Sequence, residues 1–169
     1  MIIQKCQRSS LKEFECFWQA ALAYQTERNL PLWSPFPAAT IAGEINESRH
    51  FSGYVSGNTL AGFFSITLAD PVIWGEAERG DAIYVHRMCV NPALKGNRFA
   101  DQVLAWACGY ATAGERKFVR MDTWAANQRL VDHYVKCGFA FIGCKTLHDV
   151  SGLLPHYRGQ PLALFENKL

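Results

Sequence analysis

The sequence predicts a single α/β domain over residues 1–169, built on a mixed, mostly antiparallel, twisted sheet of about seven strands with four main helices. Three observations carry that expectation. Strand-length apolar runs and segments of helical period follow one another in the order βααβββαβαβ, with a final strand. Hydrophobic residues make up 49% of the 169 positions and charged residues 19%, a balance that permits a packed core. No repeat, low-complexity tract or linker divides the chain.

Residues 2–7 read as a short strand. Ser10-Leu11-Lys12-Glu13 fits a capping box, in which Ser and Glu satisfy backbone donors at a helix start. Leu11, Phe14, Phe17/Trp18 and Ala21/Leu22 then recur every three or four residues along one helical face. Pro31, Pro35 and Pro37 punctuate a loop around Trp33 and Phe36, and a short helix is expected over residues 39–47. Residues 51–55 and 60–68 flank Gly57-Asn58, a two-residue hairpin signal. Residues 71–80 read as a loop. Residues 82–90 are apolar on both faces, as in a strand from the middle of a sheet. Strict alternation along it puts Tyr84, His86, Met88 and Val90 on one face.

Beyond Pro92 the period changes. Phe99, Val103, Trp106, Ala107 and Tyr110 form a helical stripe, with Gly114 placed to end it. Residues 118–123 are a strand. Asn127 caps a helix carrying Leu130, Val131, Tyr134 and Val135, and Gly138 stops it. Residues 139–142 and 161–165 complete the strands.

Composition excludes several classes of partner. A net charge of +2 leaves no electrostatic footprint for nucleic acid or an acidic membrane. The longest apolar run, residues 103–108, is far short of a membrane span. The first residues lack the basic start and apolar core of a secretory signal. The six cysteines show no C-x-x-C pair and no histidine at zinc-ligand spacing, so reduced thiols, no metal and a cytoplasmic location are expected.

Chemistry concentrates between residues 82 and 139. Lys95-Gly96-Asn97-Arg98-Phe99-Ala100 opens a helix directly after the central strand. The first turn of a helix has N–H groups without internal partners and a positive dipole end, suited to a phosphate. Lys95 and Arg98 would add charge. Asn127 and Tyr134 are seven residues apart, two helical turns, and share one face about 10 Å apart. Taken singly, each of these reads equally as ordinary architecture: a loop, a core tyrosine, and for His86 a hydrogen-bonded strand histidine.

Taken together they resemble the GNAT superfamily of acyl-CoA-dependent N-acyltransferases. Its pattern is a strand ending Val-x-Pro, then R/Q-x-x-G-x-G/A, then a helix, which here reads Val90-Asn91-Pro92 followed by residues 95–100. The family's second block, Asn then Tyr then Gly-Phe, reads Asn127, Tyr134 and Gly138-Phe139. Lys95 stands where the family has Arg or Gln, and Arg98 where it has Gly, a side chain that either crowds a pyrophosphate or pairs with it.

The resemblance implies acetyl transfer from acetyl-CoA to a primary amine of a small molecule by direct attack. It implies a coenzyme A site formed by Met88, Cys89, Val90, Lys95, Gly96, Asn97, Arg98, Phe99, Ala100, Asn127 and Tyr134. The strands containing Met88 and Met121 would splay to admit the pantetheine arm. Tyr134 would be the general acid and His86 the base, with Tyr84 or a water as the alternative relay. Acceptor recognition would involve Trp33, Tyr84, Asp122, Trp124, His156 and Tyr157. Two other readings stay open at this point: a non-catalytic acyl-CoA-binding or sensing module, and a protein N-terminal or lysine acetyltransferase. A homodimer is compatible with an exposed sheet edge.

Overall fold

The computed structural model describes residues 1–94, 96 and 98–169. Its strands are β1 (Ile2–Lys5), β2 (His50–Val55), β3 (Thr59–Thr67), β4 (Ala82–Val90), β5 (Phe118–Trp124), β6 (Ala140–Thr146) and β7 (Pro161–Lys168). The helices are α1 (Leu11–Glu27), α2 (Ala38–Asn46), the one-turn α3 (Pro71–Trp74), α4 (Phe99–Ala113) and α5 (Gln128–Lys136). The strands form one open sheet in the order β1-β2-β3-β4-β5-β7-β6. Only the β4–β5 pair is parallel; the other neighbours run antiparallel. Among the described residues no helix is long and apolar enough to cross a membrane.

Each face of the sheet is covered over its central strands, which are apolar on both faces, whereas the edge strands β1 and β6 are largely exposed. On one side Val103, Leu104, Ala107 and Ala111 of α4 bury Ile83, Val85, Val119 and Met121. On the other, Phe14, Phe17 and Trp18 of α1 close over Leu60, Phe63 and Cys89. A neighbouring cluster on Ala82, Tyr84 and Trp124 is roofed by Ile73 and Trp74.

Several local expectations change. Ser10 makes no side-chain cap bond, because a 3-10 turn at Arg8–Ser10 already leads the backbone into α1. The β2–β3 connection is a three-residue 3-10 turn, Ser56–Asn58, with Asn58 at φ +61°. The loop over residues 71–80 contains α3, started by Asp70 accepting from the Ile73 N–H, with Pro71 in the first turn. Tyr110 is 40% exposed, beyond the buried stripe of α4.

The largest departure lies in β4. Ser65 of β3 pairs with His86, but Phe63 pairs with Cys89, so Arg87 and Met88 together face one residue of β3. This is a β-bulge, with Arg87 left-handed at φ +52°. It inverts the alternation. Tyr84 and His86 keep one face, whereas Met88 packs against the α4 side and Cys89 joins the α1 side. Met88 and Val90 therefore do not share the face of His86. Beyond the bulge β4 also leaves β5, their registered pairs ending at Val85↔Met121.

Close approach fixes the other side of β4. A Cβ on Gly62 would lie 2.4 Å from the Cys89 carbonyl oxygen and 2.7 Å from the Phe99 ring. Gly62→Ala is therefore expected to cost about 1–3 kcal/mol by overpacking. Gly109→Ala, in α4 with nothing within 4 Å, should instead gain up to about 1 kcal/mol. Urea denaturation of the two variants checks both signs.

Candidate active site

Where β4 and β5 part, a cavity of about 730 Å³ opens between their C-terminal halves. Its walls are His86 to Pro92 from β4 and its exit, Met121 to Trp124 from β5, Trp18 and Tyr24 from α1, and Tyr134 from α5. The exit of β4 is held rigidly. Asn91 donates from Nδ2 to the Leu60 carbonyl at 2.8 Å and accepts from the Ala93 N–H at 2.9 Å.

One end of the cleft is acidic and buried. His86 Nε2 lies 3.4 Å from Asp70 Oδ2, and its Nδ1 lies 3.7 Å from Asp122 Oδ1. All three side chains are under 10% exposed. Asp70 is aimed by its duty at α3 and by its own N–H, which donates to Glu78 Oε2 at 2.8 Å. The Tyr157 hydroxyl donates to Asp122. Burial pushes the Asp122 carboxyl up to about 7, with the Asp70 charge adding to the effect. Burial likewise raises Asp70 to about 6, and pushes His86 down to about 3, with Arg87 reinforcing that shift. The trio thus avoids accumulating charge and keeps a proton on a carboxyl near neutrality.

Arg87 itself is anchored away from the trio. Its Nη1 reaches Glu44 Oε1 at 2.7 Å and Ser65 Oγ at 3.0 Å. Glu44, 3% exposed on α2, also meets His50 Nδ1 at 3.3 Å.

The end of the cleft expected to receive an acceptor is aromatic. The Trp124 ring lies 5.5 Å from His156 and 5.9 Å from Tyr157. His156 Nδ1 accepts from the Ser34 N–H at 2.8 Å, while Trp18 Nε1 donates to the Ser34 carbonyl at 2.9 Å. These bonds fasten the loop carrying Trp33 to the segment before β7. Trp33, Asp122, Trp124, His156 and Tyr157 all line the cleft. Tyr84 does not. It is fully buried in the core, its hydroxyl accepting from Arg120 at 3.0 Å, which removes it from acceptor contact and from proton relay.

At the other end, Met88, Cys89, Val90, Asn127 and Tyr134 line the cleft. Asn127 caps α5, accepting from the Leu130 N–H at 3.3 Å. Tyr134 is 5% exposed, and burial, then the Asp122 charge, hold its phenol well above the ordinary range. Of the turn, Lys95 and Asn97 lie outside the described residues. Gly96 and Arg98, the two described residues of this stretch before α4, are both left-handed, at φ +87° and +57°. Ala100 follows in the first turn of α4. The Phe99 ring is buried against Gly53 and Gly62, so its side chain takes no part in coenzyme contact. Arg98 Nε donates to Asp101 Oδ2 at 2.6 Å, turning the guanidinium along α4.

Asp70, Arg87 and Glu44 were not foreseen from the sequence as parts of this site. Asp70-Pro71 is a helix-start signal, yet only the fold brings it to His86.

Comparison with known proteins agrees with this fold. The family model described as Acetyltransferase (GNAT) family matches residues 10–139. The uncharacterized N-acetyltransferase YesJ of Bacillus subtilis is 30% identical over 83 residues, which are 49% of this chain and 44% of that protein, under half its length. A GNAT-family acetyltransferase from Listeria monocytogenes superposes with a TM-score of 0.76 at 19% identity, covering 99% of this chain and 94% of the other. The ribosomal-protein-alanine N-acetyltransferase of Brucella melitensis gives 0.70 at 14% identity, covering both chains completely (100% each). A spermidine N-acetyltransferase chimera from Vibrio cholerae and hSSAT gives 0.71 at 15% identity, covering 99% and 94%.

The acidic trio has a thermodynamic signature. Asp70 and Asp122, raised from 3.8, make the native state hold extra protons above about pH 4, whereas His86, lowered from 6.5, makes it hold fewer. Two groups outweigh one, so the trio's contribution to stability falls as pH rises from about 4 to 6. Asp122→Asn leaves one carboxyl against one imidazole and cancels the slope. The melting temperature of this variant relative to the parent should therefore climb across that window, as read by scanning calorimetry.

Proposed function

Since residues 10–139 match its family model, the chain belongs to the Acetyltransferase (GNAT) family, and we propose that it transfers the acetyl group of acetyl-CoA to a primary amine of a small molecule by direct attack. The observation that carries this reading is one cleft lined both by a protonated phenol, Tyr134, and by a carboxyl that titrates near neutrality, Asp122.

The residues present fit the coenzyme. The unpaired edge of β4 from Met88 to Val90 would hold the pantetheine arm, Gly96, Arg98 and Ala100 would surround the pyrophosphate with backbone N–H groups, and Asn127 would contact the arm beside Tyr134. When bound, acetyl-CoA supplies an acetyl thioester.

The chain's own groups manage two protons. An alkylamine enters as an ammonium with a pKa of about 10.4 and must become neutral. Transfer to a carboxyl near 7 is uphill by about 3 units, on the order of 4–5 kcal/mol. Enclosure in the cleft lowers an ammonium pKa by up to about 3–5 units, which offsets the deficit. We assign the first proton acceptor to Asp122 Oδ1, with His86 and Asp70 sharing the proton behind it. His86 was the base expected from the sequence, but burial leaves its imidazole too weak to take that proton alone. Tyr134, protonated at every working pH, donates from Oη to the departing sulfur.

The acceptor end supports a cationic amine with an apolar or aromatic body. Asp122 offers charge, and Trp33, Trp124 and Tyr157 offer ring faces suited to a cation. A concave cleft of about 730 Å³ is within the size range of small-molecule sites.

A screen of acetyl-CoA consumption over amines, amino acids and peptides tests the assignment; turnover with peptides only would overturn it. With an acceptor in hand, Tyr134→Phe should keep coenzyme affinity and lose about 10²-fold or more in turnover. The parent should gain activity as pH rises through about 7, and Asp122→Asn should abolish that limb in a kcat/KM profile. An unaltered limb in the variant would return the base to another group.

A further inference from the structure

In a hollow next to the cleft, on the face of α5 adjoining that of Tyr134, a second group of side chains converges. Asp101, in the first turn of α4, faces His133 and Cys137 of α5. His133 and Cys137 are four residues apart, one helical turn, so both project from one face. The expectation that no histidine stands at zinc-ligand spacing from a cysteine overlooked this pair.

We propose that Asp101, His133 and Cys137 bind one tetrahedral divalent cation, Zn²⁺ being the best match. The separations carry the assignment. Cys137 Sγ lies 3.6 Å from His133 Nε2 and 3.2 Å from Asp101 Oδ1, and His133 Nε2 lies 3.1 Å from the same oxygen. Bonds of about 2.3 Å to sulfur and about 2.0–2.1 Å to nitrogen and oxygen, at tetrahedral angles, require edges of about 3.6, 3.6 and 3.4 Å. The three donors already form one face of that tetrahedron to within about 0.4 Å. A thiolate, an imidazole and a carboxylate together select zinc over magnesium or calcium, which take oxygen ligands.

The surroundings complete the site. Asp101 uses Oδ1 toward His133 and Cys137 while Oδ2 is fixed by Arg98 Nε at 2.6 Å, an outer contact that orients the ligand. Cys137 is a free thiol. A hollow of about 450 Å³ lined by Arg98, Asp101, His133 and Cys137 admits the ion and a water as fourth ligand. On binding, the Cys137 S–H bond breaks, its proton passes to water, and a metal–sulfur bond replaces it. The ion would clasp the start of α4, next to the coenzyme turn, to the end of α5, the helix of Tyr134.

The test uses the full chain, reduced and stripped of metal with a chelator. Zn²⁺ should bind at one equivalent per chain by calorimetry and raise the melting temperature. Co²⁺ should bind at the same stoichiometry with a thiolate-to-cobalt charge-transfer absorption. Cys137→Ser should abolish that absorption, and both it and His133→Gln should weaken Zn²⁺ binding by at least about 10-fold. Cys144→Ser, removing an exposed thiol elsewhere, should change neither. Absence of the thiolate absorption overturns the proposal. So does binding that survives Cys137→Ser and His133→Gln but is lost in Asp122→Asn, which would place the ion at the trio in the cleft.

Discussion

A left-handed arginine in the middle of a strand governs this molecule. Non-glycine residues pay roughly 1–2 kcal/mol for that conformation, and Arg87 holds it because Glu44 and Ser65 grip its guanidinium from α2 and β3. Two residues then answer one across the ladder, the side-chain alternation inverts, and β4 turns away from β5 after Val85. The cleft is the gap so produced. Its acidic end, its aromatic end and the turn that opens α4 all take their positions from where β4 goes next. Glu44 is buried and Arg87 largely so, and the carboxylate is further supported by His50 and Arg49. Breaking one partner of such a pair leaves an uncompensated charge inside the protein, which is why α2, though it does not line the cleft, belongs to its foundation.

Burial sorts the titratable groups of the cleft into roles. The same loss of water that weakens His86 as a base strengthens the hold of Asp122 on a proton and keeps Tyr134 un-ionised. A free imidazole in water would titrate near neutrality unaided. Here the near-neutral group is a carboxyl, and the imidazole serves as the bridge between two carboxyls. Arg120 stabilises this arrangement from behind. It stacks on Trp74 at 4.7 Å and donates to the Ala77 carbonyl at 2.8 Å, steadying the segment that presents Asp70.

Much of the fold was legible in the sequence because apolar period and turn residues act locally. The limits of β4, the Asn127 cap and the Gly138 stop at φ +92° follow from such signals. The bulge was not legible, because a period-two reading presumes that every residue has one partner, and the extra residue is stabilised by Glu44, over forty positions earlier. Tyr84 was misplaced for a related reason: alternation tells which face a side chain takes, not whether an arginine and a tryptophan will seal that face. Asp122 and Trp124 were reachable because they lie at the C-terminal end of β5, and His156 and Tyr157 because they lie in the segment leading into β7, where connections gather around a cleft. Asp70 needed the path of the chain across the sheet. The Arg98 position, a glycine in the family pattern, does adopt the left-handed backbone that favours glycine.

The strand order carries a consequence for how the protein is made. β7 lies between β5 and β6, so a strand synthesised after both must insert between them. Until residues 161–168 emerge, β5 and β6 have no shared neighbour, and Tyr134 lacks the Phe165 ring that it meets edge-on at 5.4 Å. The half of the sheet that walls the cleft is thus completed after every other element is already in hand. A nascent chain would present β5 with an open edge during that interval, exposed to chaperones or to pairing with a second nascent copy.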